Sequence, residues 1–200
     1  MRDSDVRAAV LRMLSRRHAH DSTTRIVEEM GVWSGSARID VAVINGELNG
    51  YELKSNSDTL ERLPQQADLY SRVFDHLTLV VGTKHSAKAA ELLPEWWSVL
   101  MAHERGGSLR LEPVRIGDRN PCREPFFVAQ LLWRNEALTI LDKLGLAEGW
   151  RSKTAPAVHR HLSESLPLAD LAAHVRETLR RREGWLGHSV EDVLNVTVQC

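Results

Sequence analysis

Between Asp5 and Arg17, apolar side chains fall at Val6, Ala9, Val10, Met13 and Leu14, three and four residues apart, with arginines between them. That period winds a single apolar stripe along a helix. Thr23 to Gly31, bounded by Asp21-Ser22 and a glycine, predicts a strand entering a turn over residues 31–36. Arg38 to Ile44 and Leu48 to Leu53 then alternate around Asn45-Gly46, the pattern of an antiparallel hairpin. Pro64 opens a second helix whose buried stripe is Leu63, Ala67, Tyr70, Val73 and Phe74. The unbroken run Leu77 to Val81, stopped by Gly82, predicts a central strand covered on both faces. A short helix over Ala87 to Leu93 and strands over Trp97 to Ala102 and Leu109 to Val114 follow, with Pro113 placing the last of these at an edge.

After Arg115 the texture changes. A polar stretch with two prolines reads as a linker, and beyond it helices are expected over Phe126 to Leu144, Ala155 to Ser165 and Leu168 to Arg182. A final strand is expected over Val193 to Val198. The fold class is therefore α/β with a small all-α C-terminal part, divided into residues 1–118 and 119–200.

Composition narrows the choice of chemistry. In 200 residues, 42% hydrophobic and 26% charged side chains are ordinary for a globular chain, so neither disorder nor a repeat architecture is expected. No apolar run reaches bilayer length and the first twenty residues lack a secretory pattern, so no membrane partner is expected and the expected location is the cytoplasm. Cys122 and Cys200 form no CxxC pair, which removes a disulfide framework and a zinc knuckle. The net charge of −1 leaves the partner open, and any basic surface must be local.

The hairpin carries the chemistry. Asp40 lies on its first strand, while Glu52 and Lys54 lie two apart on its second and share a face. A two-residue turn would set Asp40 opposite Tyr51. A three-residue loop, Asn45 to Glu47, or an equivalent bulge would set it opposite Glu52, and one of these is therefore expected. Two adjacent carboxylates repel each other unless a cation lies between them, and hard oxygen ligands suit Mg2+ or Mn2+. Such an ion would activate a water while Lys54 offset charge on a phosphate, which points to phosphodiester hydrolysis.

Asp40 with Glu52-Leu53-Lys54, the order helix, three strands, helix, strand, and Gln66-Ala67-Asp68-Leu69-Tyr70 on the second helix resemble the PD-(D/E)XK, or restriction-endonuclease-like, nuclease superfamily, in its RecB-like QxxxY branch. RIDVAVINGELNGYELKS, DTLERLPQQADLYSRVFDHLTLVVG and PEWW look closer still to an uncharacterised bacterial family of nuclease-like proteins. The resemblance implies an αβββαβ core with a mixed sheet flanked by helices. It also implies that Asp40, Glu52, the Leu53 carbonyl and an upstream acid, Glu29 ahead of Glu28, hold Mg2+ or Mn2+. Lys54, Gln66 and Tyr70 would complete the catalytic set. The expected protein is thus a metal-dependent nuclease, with DNA the nucleic acid that the resemblance favours. The alternative is an inactive module of the same fold that binds nucleic acid or a protein. An enzyme acting on both strands calls for a homodimer, although no heptad or apolar interface is legible.

Each motif also has a plain structural reading. Asp40, Glu52 and Lys54 would serve as cross-strand ion pairs, and Gln66 and Tyr70 as an ordinary helix surface. His18, His20, His159 and His161 read as surface histidines, Trp96-Trp97 as packing, and Arg180-Arg181-Arg182 either as phosphate contacts or as cations at a helix C-terminus.

Overall fold

The computed structural model describes residues 2–183 and 187–189, the last three by their main chain. The strand expected over Val193 to Val198 lies outside the described residues. A mixed sheet in the order β6-β5-β4-β3-β2-β1-β7 forms the centre. Its strands are β1 (Arg25–Val32), β2 (Ala37–Ile44), β3 (Leu48–Lys54), β4 (His76–Gly82), β5 (Ser98–Arg105), β6 (Ser108–Arg115) and the short β7 (Gly187–Ser189). The helices are α1 (Asp3–Arg17), α2 (Leu63–Ser71), α3 (Ser86–Glu91), α4 (Pro125–Ala129), α5 (Arg134–Lys143), α6 (Ala155–Ser165) and α7 (Leu168–Arg181). β3, β4 and β5 run parallel, joined through α2 and α3, and the remaining pairs are antiparallel. The Leu-Val-Val strand, β4, is central, and β6, with Pro113, lies at the edge.

Each sheet face buries its own core. On one face, Val6, Val10 and Leu14 of α1 pack on Val41, Val43, Leu53 and Val80. On the other, Leu63, Tyr70 and Phe74 join Ile44, Leu77 and Leu79. Val128, Leu141, Leu162 and Leu171 belong to that second core too, so apolar contact is continuous across the 118/119 division. Among the described residues, no helix is long and apolar enough to cross a membrane.

The hairpin register runs Val41↔Tyr51, Ala42↔Gly50, Val43↔Asn49 and Ile44↔Leu48, which is the three-residue loop Asn45 to Glu47 that the carboxylate placement requires. The Asn45 side chain accepts from the Glu47 N–H at 3.0 Å and closes the loop without a bulge. The helix expected over Phe126 to Leu144 is instead two helices, α4 and α5, broken at 130–133. No glycine or proline marks the break. The buried Arg182 guanidinium takes the freed Leu131 carbonyl at 2.9 Å, and the Glu136 carboxylate accepts the Trp133 N–H at 2.6 Å, restarting the helix.

Candidate binding cleft

Where β2 begins and β3 ends, both strands of the β1–β2 pair change the face on which they bury apolar residues. Val27 packs in the α2-side core, yet so do Met30 and Val32, and on β2 Ile39 joins the same core as Ala42. Alternation therefore shifts by one residue at Glu29 and at Asp40, which face each other and form the only gap in an otherwise continuous run from Arg25↔Ile44 to Val32↔Ala37. Glu29 makes the shift by adopting a left-handed backbone, φ 51°.

The gap is filled from α1. Arg7 donates to the Asp40 main-chain oxygen at 3.0 Å, to Asp40 Oδ1 at 2.9 Å and to Glu29 Oε1 at 2.8 Å, with Glu28 Oε2 at 3.5 Å. Asp40 Oδ2 accepts the Leu53 N–H at 2.7 Å, two residues beyond Tyr51 of the last ladder pair of the hairpin. The carboxylate thus stands in for a strand.

Glu52 and Lys54 point to the α2 side. Glu52 is buried, and its Oε1 accepts from Lys54 Nζ at 2.5 Å and from Gln66 Nε2 at 2.6 Å. Its Oε2 meets no partner, and neither does Gln66 Oε1. One helical turn beyond Gln66, the Tyr70 hydroxyl donates to the Arg38 carbonyl at 2.5 Å and pins α2 to the start of β2. Burial, and then the nearby Asp40 charge, push the Glu52 carboxyl up to about 7. Burial also raises Asp40, against the pull of the Leu53 N–H and Arg7.

These groups line one cleft of about 530 Å3, together with Ser36, Arg38, Asp58 and Arg62. The structure brings Asp40, Glu52, Leu53, Lys54, Gln66 and Tyr70 together there. Glu29 is not among the lining residues; Arg7 holds it. Arg7 and Arg38 were not legible as site residues in the sequence, because nothing in the spacing tells an arginine that plugs a sheet from one that faces water. The remaining motifs resolve as packing or as ion pairs. Trp97 is fully buried, His161 stacks on Trp150 at 3.9 Å, Arg180 and Arg181 pair with Glu177, and Arg182 pairs with Glu136.

Among the described residues, no group of three or more Asp, Glu, His or Cys side chains is disposed to hold a metal. Lys54 pairs with Glu52, and Arg7 pairs with Asp40 while also serving Glu29, Glu28 and Asp3. The metal-binding expectation is corrected accordingly.

A family model described as Bacteriophage P4 protein cII matches residues 1–186. Protein cII of Enterobacteria phage P4 is 25% identical to this chain over 146 residues, which cover 73% of this chain and 55% of that protein, so the chain spans about half the length of this relative. No solved structure matches the chain. The family and the relative overturn the expected function and its vocabulary: both are described as protein cII, and neither description names a nuclease or a metal-dependent hydrolase.

Proposed function

Because the chain belongs to the bacteriophage P4 protein cII family, we propose that its cleft is a recognition site that holds nucleic acid by its phosphates without cutting it, with DNA the first polymer to test. The observation that carries this reading is a pair of exposed arginines, Arg38 and Arg62, on the cleft wall. Among the described residues no carboxylate pairs with either of them, whereas Asp40 and Glu52 each have an internal cation. Asp3 and Asp58 also line the cleft, Asp3 beside Arg7 and Asp58 held by the Ser55 N–H and hydroxyl, so the positive charge that no carboxylate answers is local to Arg38 and Arg62, where it suits the phosphates of a polyanion.

Position supports the reading. The cleft lies at the carboxyl end of β3, beside the parallel pair β3–β4, where open α/β sheets commonly receive ligands. The order α1-β1-β2-β3-α2-β4 supports, as part of the same proposal, a restriction-endonuclease-like core used for binding.

The test is fluorescence anisotropy of labelled single-stranded and duplex DNA across a salt series, with the DNA recovered and sized afterwards. Wild type should bind and return intact DNA. The double variant Arg38→Ala, Arg62→Ala should bind more weakly and lower the slope of log affinity against log salt by about 2, near 0.9 per lost contact on duplex. An unchanged slope in the double variant would show that the phosphates lie elsewhere.

A further inference from the structure

On the far side of the β1–β2 turn from the cleft lies a second cavity of about 460 Å3. Among the described residues it is lined by Gly31, Ser34, Gln130, Trp133, His159 and Arg182, among others. The turn borders both openings: Ser36, Ala37 and Arg38 face the cleft, while Gly31, Ser34 and Gly35 face this cavity.

Three observations converge here. First, two buried polar groups are poorly satisfied: Gln130 Oε1 has no partner, and His159, only 4% exposed, makes no well-formed hydrogen bond through either ring nitrogen, with the Leu132 main chain alongside. Such groups in an interior cost on the order of 1–3 kcal/mol each unless something satisfies them. Second, the turn holds two non-glycine residues in succession in the left-handed region, Trp33 at φ 50° and Ser34 at φ 53°, ahead of Gly35 at φ 84°. Left-handed backbone at a tryptophan is strain that persists only where surrounding contacts impose it. Here Trp33 packs edge-on against Phe127, with centroids 5.6 Å apart. Third, Trp133 has Arg182 over one ring face at 4.4 Å yet remains 55% exposed, which leaves the opposite face open for stacking.

The charges around this cavity are already committed. Arg182 pairs with Glu136, and Arg134 donates to the Lys153 carbonyl at 2.8 Å and to the Arg151 carbonyl. What the cavity offers is an open indole face, an amide acceptor and an imidazole that burial keeps below the ordinary histidine range. We propose that it receives an uncharged planar N-heterocycle, a nucleobase, stacked on Trp133 and hydrogen-bonded to Gln130 and His159. The base comes either from a free nucleoside or from a strand held in the neighbouring cleft. The strand source rests on the proposed function, and the nucleoside source does not.

The probe is 2-aminopurine, whose fluorescence falls when it stacks, offered as the free riboside and within a short single strand. Wild type should quench the riboside saturably. Gln130→Leu and His159→Phe should each weaken that binding at least tenfold, and each variant counts only if it keeps the wild-type melting temperature. Arg38→Ala, Arg62→Ala should still quench the riboside and should lose the strand. A strand that binds without quenching, together with a riboside that does not bind, would overturn the base pocket and leave the cleft proposal standing. Quenching of the riboside alone would support the pocket and remove the strand as its source. Equal quenching by wild type and both pocket variants would overturn the assignment of Gln130 and His159.

Discussion

The two ends of β3 carry opposite solutions to the same problem, a carboxylate buried under helices. At the Leu48 end, Asp75, 1% exposed, is met by Arg119 at 2.9 Å, Arg123 at 2.7 Å and Arg176 at 3.7 Å, and it accepts the Leu48 N–H at 2.9 Å. Close by, Asn120 donates to the Ser71 and Phe74 carbonyls at 2.6 and 2.7 Å. Cation exceeds anion there, and both Asp75 oxygens are satisfied. At the Lys54 end, Glu52 has one ammonium and one amide on a single oxygen, the other oxygen is bare, and a cavity opens beside it. A saturated buried charge joins pieces of a fold, here the sheet to the segment after Arg115 and to α7. An unsaturated one beside open space is available to a ligand.

The strongest way to break the contrast is Asp75→Asn, which leaves three guanidiniums without their anion. Urea melts at neutral pH should show a loss of about 3–5 kcal/mol. A loss near that of an exposed pair would mean that the seam is held by other contacts. Arg119→Ala alone should cost under about 1 kcal/mol, since that side chain is 59% exposed.

The next effect belongs to Glu52 and depends on pH. Folded, the carboxyl keeps its proton to about pH 7, whereas unfolded it titrates near 4.5. Between those values the native state binds more protons than the unfolded one, so stability should be highest at the acid side. It should fall as pH rises through the window, by roughly 3 kcal/mol, and flatten above it. Glu52→Gln should lack this slope, and melts at pH 5 and pH 8 would show whether the decline survives the substitution. The smallest effect concerns metal. Because Arg7 and Lys54 already pair with Asp40 and Glu52, Mg2+ or Mn2+ should leave the melting temperature of wild type unchanged, and a saturable rise would mean that these cations yield to a metal.

Much of this architecture was legible because its signals are local. The Asn45-Gly46 hairpin, the apolar β4 run and Pro64 at the start of α2 depend on alternation, run length and φ preference, which the chain expresses wherever it is packed. Even the loop of Asn45 to Glu47 followed from asking which register puts Asp40 across from Glu52. The activity was misread for the same reason. Asp40, Glu52 and Lys54 look alike in sequence whether a metal or a pair of internal cations neutralises the carboxylates.

The sequence by itself determined the order and type of the elements and the gathering of Asp40, Glu52, Lys54, Gln66 and Tyr70 at one end of the hairpin and its helix, because strand and helix periods are properties of short segments. Only the tertiary structure decided that Arg7 enters the gap between β1 and β2, that Arg182 splits the helix after Ala129, and that, among the described residues, no carboxylate pairs with Arg38 or Arg62. Each depends on which distant side chain reaches a freed carbonyl or carboxylate first, and residues far apart in the chain become neighbours only once the cores on both sheet faces have closed.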